Sequence, residues 1–148
     1  MKKFTFELQS VLEYRDFQKQ QAESELSQAL AVETKIKKDL DTIALQYTNL
    51  KLSMKGNLSF DEIYAANQHY KLLDYQKEEL LKQLAEANIV TEQKREVLRE
   101  CMKKTTALEK LKEQQLEEYK KEVQAVEAKF ADEIGTQGYF RKQQNGDL

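Results

Sequence analysis

The sequence predicts an all-α protein in which two long helices form an antiparallel coiled-coil hairpin, the second helix extending beyond the first. Three observations carry that class. Of 148 residues none is Pro and only four are Gly, at positions 56, 135, 138 and 146, so residues 3–55 and 60–134 lack the usual punctuation of loops. Apolar residues recur at alternating steps of four and three through both segments. Between them lies Lys55-Gly56-Asn57-Leu58-Ser59-Phe60-Asp61-Glu62-Ile63, a run able to stop one helix and start another. A single domain over 1–148 is expected, with helix 1 at about 4–55, a turn at 56–59, helix 2 at about 60–134 and a flexible tail at 135–148.

In helix 1 the stripe reads Leu8, Leu12, Arg15, Lys19, Ala22, Leu26, Ala29, Glu33, Ile36, Leu40, Ile43, Tyr47, Leu50 and Met54. Eleven of these fourteen are apolar, which makes a seam of period near 3.5 and implies a left-handed supercoil. Arg15 and Lys19 can lay their stems along the seam and keep their charges in water, which is preferred to a dedicated site.

The turn follows from its residues. Gly56 can adopt the left-handed conformation that ends a helix, and Lys51 and Lys55 place positive charge beside the last carbonyls. Ser59 and Glu62 have the spacing of a capping box, with Leu58 and Ile63 as a hydrophobic staple across the new helix start. So short a link folds the helices back on each other. Positions adding to about 117 should then face one another, pairing Tyr47 with Tyr70 and Leu8 with the region of Leu108.

Helix 2 continues the stripe through Ile63, Ala66, Tyr70, Leu73, Lys77, Leu80, Leu84, Ala87, Thr91, Lys94, Leu98, Cys101, Thr105 and Leu108. Its polar stretch from Thr91 to Thr105 is a place where register is fixed and a rod can flex. Beyond Leu108 the pattern slips to Leu116 and resumes at Tyr119, Val123, Val126 and Phe130. The pairing count leaves residues from about 110 to 134 without a partner helix, so their apolar face is expected to need another surface. The tail, with three of the four glycines, is expected to fray.

Composition narrows function. Lys and Arg number 24 against 26 Asp and Glu, for a net charge of −2, so no field draws the chain to nucleic acid or anionic lipid. The opening residues lack the apolar run of a signal peptide and no span of ~18 apolar residues occurs, so the chain is expected to stay in the cytosol. One Cys101 and one His69 leave no metal site or acid–base dyad, and Glu109, Glu113 and Glu117 read as a solvated face. No enzyme activity and no cofactor are expected.

Two runs resemble the FliJ family of flagellar export proteins. One is Lys3-Phe4-Thr5-Phe6-Glu7-Leu8-Gln9-Ser10-Val11-Leu12-Glu13-Tyr14-Arg15, an aromatic-x-aromatic-x-Leu opening followed by an apolar pair and an Arg. The other is Ala107-Leu108-Glu109-Lys110-Leu111-Lys112-Glu113-Gln114-Gln115-Leu116-Glu117-Glu118-Tyr119, followed by Glu127 and the Asp132-Glu133 pair. With the turn near residue 57 and the segment Tyr70 to Leu84, the resemblance covers nearly the whole chain.

The resemblance implies a coiled coil similar to the central stalk of rotary ATPases, at the cytosolic face of the flagellar base. Its implied partners are the hexameric export ATPase, the cytosolic domain of the export gate and the export chaperones, with the membrane approached only through proteins. A stalk entering a ring should be apolar at the entering end, which points to Phe4, Phe6, Leu8, Arg15, Leu111, Leu116 and Tyr119. Tyr47, Tyr70 and Leu73 form a second candidate patch, although packing against each other is their preferred use. The competing expectation is a self-associating spacer or chaperone unrelated to flagellar export.

Overall fold

The structure, a computed structural model, describes residues 2–146. α1 spans Gln9–Ser53 and α2 spans Phe60–Gly146; no strand occurs among the described residues, and the two helices pack against each other with α2 the longer. The all-α class read from the sequence holds.

The reversal between the helices uses the predicted glycine and the serine half of the predicted capping box. Gly56 has φ +109°, a backbone region that L side chains resist. The Met54 N–H donates to the Lys51 carbonyl at 3.3 Å, tightening the end of α1 beside the charge of Lys51. At the start of α2 the Ser59 hydroxyl accepts the Glu62 N–H at 3.2 Å, and the Ser59 carbonyl accepts the Ile63 N–H at 3.1 Å as the first helical bond. Asp61 and Glu62 add negative charge where the helix leaves free N–H groups.

By its contacts the chain divides into two units, Met1–Asp16 with Lys103–Leu148, and Phe17–Met102. In Phe17–Met102 the seam runs as the stripe predicts except at Ile63 and Lys77, which are exposed. Ala22, Ala29, Ile36 and Ile43 of α1 are buried, as are Ala66, Leu73, Ala87 and Thr91 of α2. The seam residues between them, among them Leu26, Leu40, Tyr47, Tyr70, Leu80 and Leu84, are half-buried. Leu73 is the most enclosed at 1% exposed, and removing such a side chain from water is worth about 1.5–3 kcal/mol. Thr91 is tolerated because its hydroxyl donates to the Ala87 carbonyl at 2.9 Å within its own helix. Between the helices, Lys94 Nζ lies 3.1 Å from Glu25 Oε2; both are partly exposed, so the pair adds roughly 0–1 kcal/mol and acts mainly on register.

In the other unit Phe6, Leu12 and Thr105 are buried. Here the structure departs from the sequence expectation in two places. α1 begins at Gln9, not near residue 4, and residues 2–6 are non-helical, the Gln9 N–H donating to the Phe6 carbonyl at 3.1 Å. Alternation explains the difference: Phe4 is half-buried and Phe6 buried while Lys3, Thr5 and Glu7 are exposed, a period of two that an extended run satisfies and a helix would split between opposite faces. At the other end α2 continues to Gly146 where the glycines had suggested a break near 134. Gly135 and Gly138 each cost about 1 kcal/mol relative to Ala, a weakening rather than a stop within so long a helix. Of the expected flexible tail, residues 147 and 148 lie outside the described residues.

The pairing count holds near the turn and shifts away from it. Tyr47 and Tyr70 meet with ring centroids 5.5 Å apart, as counted. Glu25 meets Lys94, two residues beyond the counted position, and Gln9 Oε1 accepts from Lys112 Nζ at 2.8 Å, four residues beyond it. Long side chains lean toward the N-terminus of their own helix, so in an antiparallel pair the α2 partner lies farther from the turn than a Cα count gives.

Because an added Cβ at Gly56 meets nothing within 4 Å, the cost of substitution there is backbone strain alone. Gly56→Val is expected to lower stability by roughly 1–2 kcal/mol and Gly56→Asn by less. Urea unfolding followed by circular dichroism checks this; equal midpoints for Val and Gly would show that the turn does not need the left-handed residue.

Candidate partner-binding surface

The terminal set named from sequence lies wholly within the unit formed by Met1–Asp16 and Lys103–Leu148, and much of it packs on itself. The rings of Phe4 and Tyr119 sit 5.6 Å apart at 48°, and the Tyr119 hydroxyl donates to the Lys2 carbonyl at 2.7 Å. Phe6 is buried, so it holds the segment down rather than facing outward. Leu111, Leu116 and Tyr119 are half-buried, Arg15 is half-buried, and Leu8 is exposed. The apolar face is therefore not bare from residue 110: α1 and the N-terminal segment reach along it as far as Tyr119. They reach that far because a non-helical residue can advance about twice as far as a helical one, roughly 3.3 Å against 1.5 Å.

The uncovered part begins later. Val123 is half-buried, whereas Val126, Phe130 and Ile134 are 52%, 63% and 54% exposed. Val126 and Phe130 belong to the stripe found in the sequence; Ile134, at the expected helix end, joins them by its spacing of four from Phe130.

In Phe17–Met102 the second candidate patch divides. Leu73 is inside the seam and unavailable, and Tyr47 packs on Tyr70, the preferred sequence reading. Tyr47 also borders an open groove of about 570 Å³ with Leu40, Ile43, Ala44, Lys77 and Leu81, which the sequence reading missed. A further exposed aromatic pair, Phe60 with Tyr64, stacks at 6.5 Å beside the turn. Its only signal was the i, i+4 spacing of two aromatics at a helix start.

Several exposed charged groups pair locally within α2. Arg99 contacts Glu96 at 2.7 Å and Glu92 at 3.5 Å; the hydrogen bond to Glu96, with the charges of Glu96 and Glu92, raises its pKa above the ordinary arginine value. Among the described residues no cluster of three or more His, Cys, Asp or Glu could hold a metal, and no helix is long and apolar enough to cross a membrane. The surface offers apolar side chains framed by charge, chemistry suited to binding protein.

These features define an antiparallel two-helix coiled-coil protein with apolar surface left over at specific places. The family model described as Flagellar FliJ protein matches residues 4–144, and the chain belongs to that family, making it a component of the flagellar protein export apparatus. No curated protein and no solved structure is a match to the chain.

The Phe4–Tyr119 contact yields a specific expectation. Tyr119→Phe should change stability by no more than the ~0.5–1.5 kcal/mol of one hydrogen bond, whereas Tyr119→Ala should also release the Phe4 ring. Hydrogen exchange at Gln9, whose N–H is held by the Phe6 carbonyl, should accelerate in the Ala variant and stay near wild type in the Phe variant. Unchanged exchange in Tyr119→Ala would mean that the N-terminal segment is held by Phe6 alone.

Proposed function

We propose that this export component is a non-enzymatic, stalk-like adaptor that works in the cytosol, linking the export ATPase ring to the export gate and to export chaperones. Family membership supports the setting, and the observation that carries the adaptor reading is the half-exposed apolar end of the unit containing both termini. There Leu8, Leu111, Leu116 and the Phe4–Tyr119 pair lie within short spans of chain, while Phe6 and Leu12 anchor the segment that presents them. Half-buried side chains of this kind are already ordered, so a partner that covers them gains apolar burial with little further loss of side-chain freedom. Arg15, half-buried among them, supplies a cation at the edge. This end is assigned to the ATPase ring. The groove bordered by Leu40, Ala44, Tyr47 and Leu81 is the secondary surface, assigned to the gate or a chaperone. The other reading, a spacer unrelated to flagellar export, gives way to the family match.

Leu111→Ala with Leu116→Ala tests the assignment. At most about a third of each side chain remains to be buried by a partner, together worth roughly 1 kcal/mol, so affinity for the purified export ATPase should fall about fivefold. Titration calorimetry, paired with thermal unfolding, reads both effects. Unchanged affinity would remove this end as the ATPase site, and Leu81→Ser with Tyr47→Ser would then be the variants expected to lose binding.

A further inference from the structure

The α2 seam does not stop where its cover stops. Val123, Val126 and Phe130 continue the spacing of the covered residues Thr105, Leu108 and Tyr119, yet Val126 and Phe130 stand exposed on the helix. The charges beside this stripe are arranged in a particular way. With Val123 and Val126 as the seam positions, Lys120 and Glu127 flank it on one side and Glu122 and Lys129 on the other.

We propose that this stretch of α2 is a self-association surface on which a second copy of the chain pairs antiparallel, Val123 against Val126 of the copy and Phe130 against the free edge of Tyr119. In that register every flanking contact is between opposite charges: Lys120 faces Glu127 and Glu122 faces Lys129, each occurring twice by the two-fold symmetry. Sliding by one heptad in one direction sets Lys120 against Lys120 and Glu122 against Glu122. Sliding in the other sets Glu127 against Glu127 and Lys129 against Lys129. Parallel pairing in register brings Glu122 against Glu127. One arrangement is thus favoured and its neighbours are opposed by like charges, which a surface meant for an unrelated partner would have no reason to encode. The interface continues the seam that α1 and the N-terminal segment already occupy as far as Tyr119.

Charge exchange tests the pairing on the full chain. The wild-type mass by sedimentation equilibrium should rise from 17.4 kDa toward twice that value between about 1 and 500 µM. Lys120→Glu with Lys129→Glu makes all four flanking residues acidic, and Glu122→Lys with Glu127→Lys makes all four basic; each variant alone should weaken association at least tenfold. An equimolar mixture of the two should regain a dimer at least as tight as wild type. Circular dichroism should show wild-type helix content in both, since all four positions are exposed. A wild-type chain that stays at monomer mass throughout, variants that associate as wild type does, or a mixture that stays monomeric would each overturn the proposal. A wild-type monomer that still captures the export ATPase through this stripe would overturn it in favour of a partner protein.

Discussion

Reversal of the backbone at Gly56 is the constraint on which the other contacts depend. Once the chain turns there, the α2 partners of the α1 stripe near the turn follow by counting outward, and the count drifts by two and then four residues toward the far end. The restriction is physical. A glycine at φ +109° ends α1, and Ser59 gives α2 a start in which the otherwise free Glu62 N–H has an acceptor. Neither helix has intrinsic stability to spare at its polar positions, so the seam between them supplies what propensity does not.

The seam itself is built from modest side chains. Ala22, Ala29, Ala66 and Ala87 let the two backbones approach, while Ile36, Ile43 and Leu73 fill the layers between Ala66 and the Ala29–Ala87 level. Polar seam residues survive by satisfying themselves or by reaching out: Thr91 bonds within α2, and Lys94 reaches Glu25 across the gap. Such contacts add little energy and much directional preference, as expected where pairing rather than a closed core defines the fold. Function then resides in what the pairing leaves uncovered. The half-exposed end around Leu111, Leu116 and Tyr119, the groove beside Tyr47, and the stripe at Val126 and Phe130 differ in how much of each side chain still meets water.

The helices, the turn and the seam were legible because each rests on local chemistry or on a period repeated many times. Fourteen positions in a row announce a stripe even when Arg15, Lys19 and Glu33 interrupt it. The N-terminal segment was harder to read, since Phe4-Thr5-Phe6 carries only two turns of a period-two signal and nothing in it forbids helix. Misplacing that segment had a consequence for the site: it left Tyr119 bare in the count when Phe4 in fact lies against it. The end of α2 was misjudged for the opposite reason, because glycines weigh heavily in a sequence and lightly in the interior of a long helix. Side-chain lean, which moves the partner of Gln9 from Leu108 to Lys112, is invisible to residue counting.

The central claim is that α1 and α2 pair within one chain, and a distance measured near the turn tests it most directly. Spin labels at Thr48 and Lys71, both exposed and close to the Tyr47–Tyr70 contact, should give a single short separation by pulsed electron resonance. That separation should persist when doubly labelled chains are diluted into a large excess of unlabelled chains. Its disappearance on dilution would show that the helices pair between chains, and would contradict the hairpin on which the account rests.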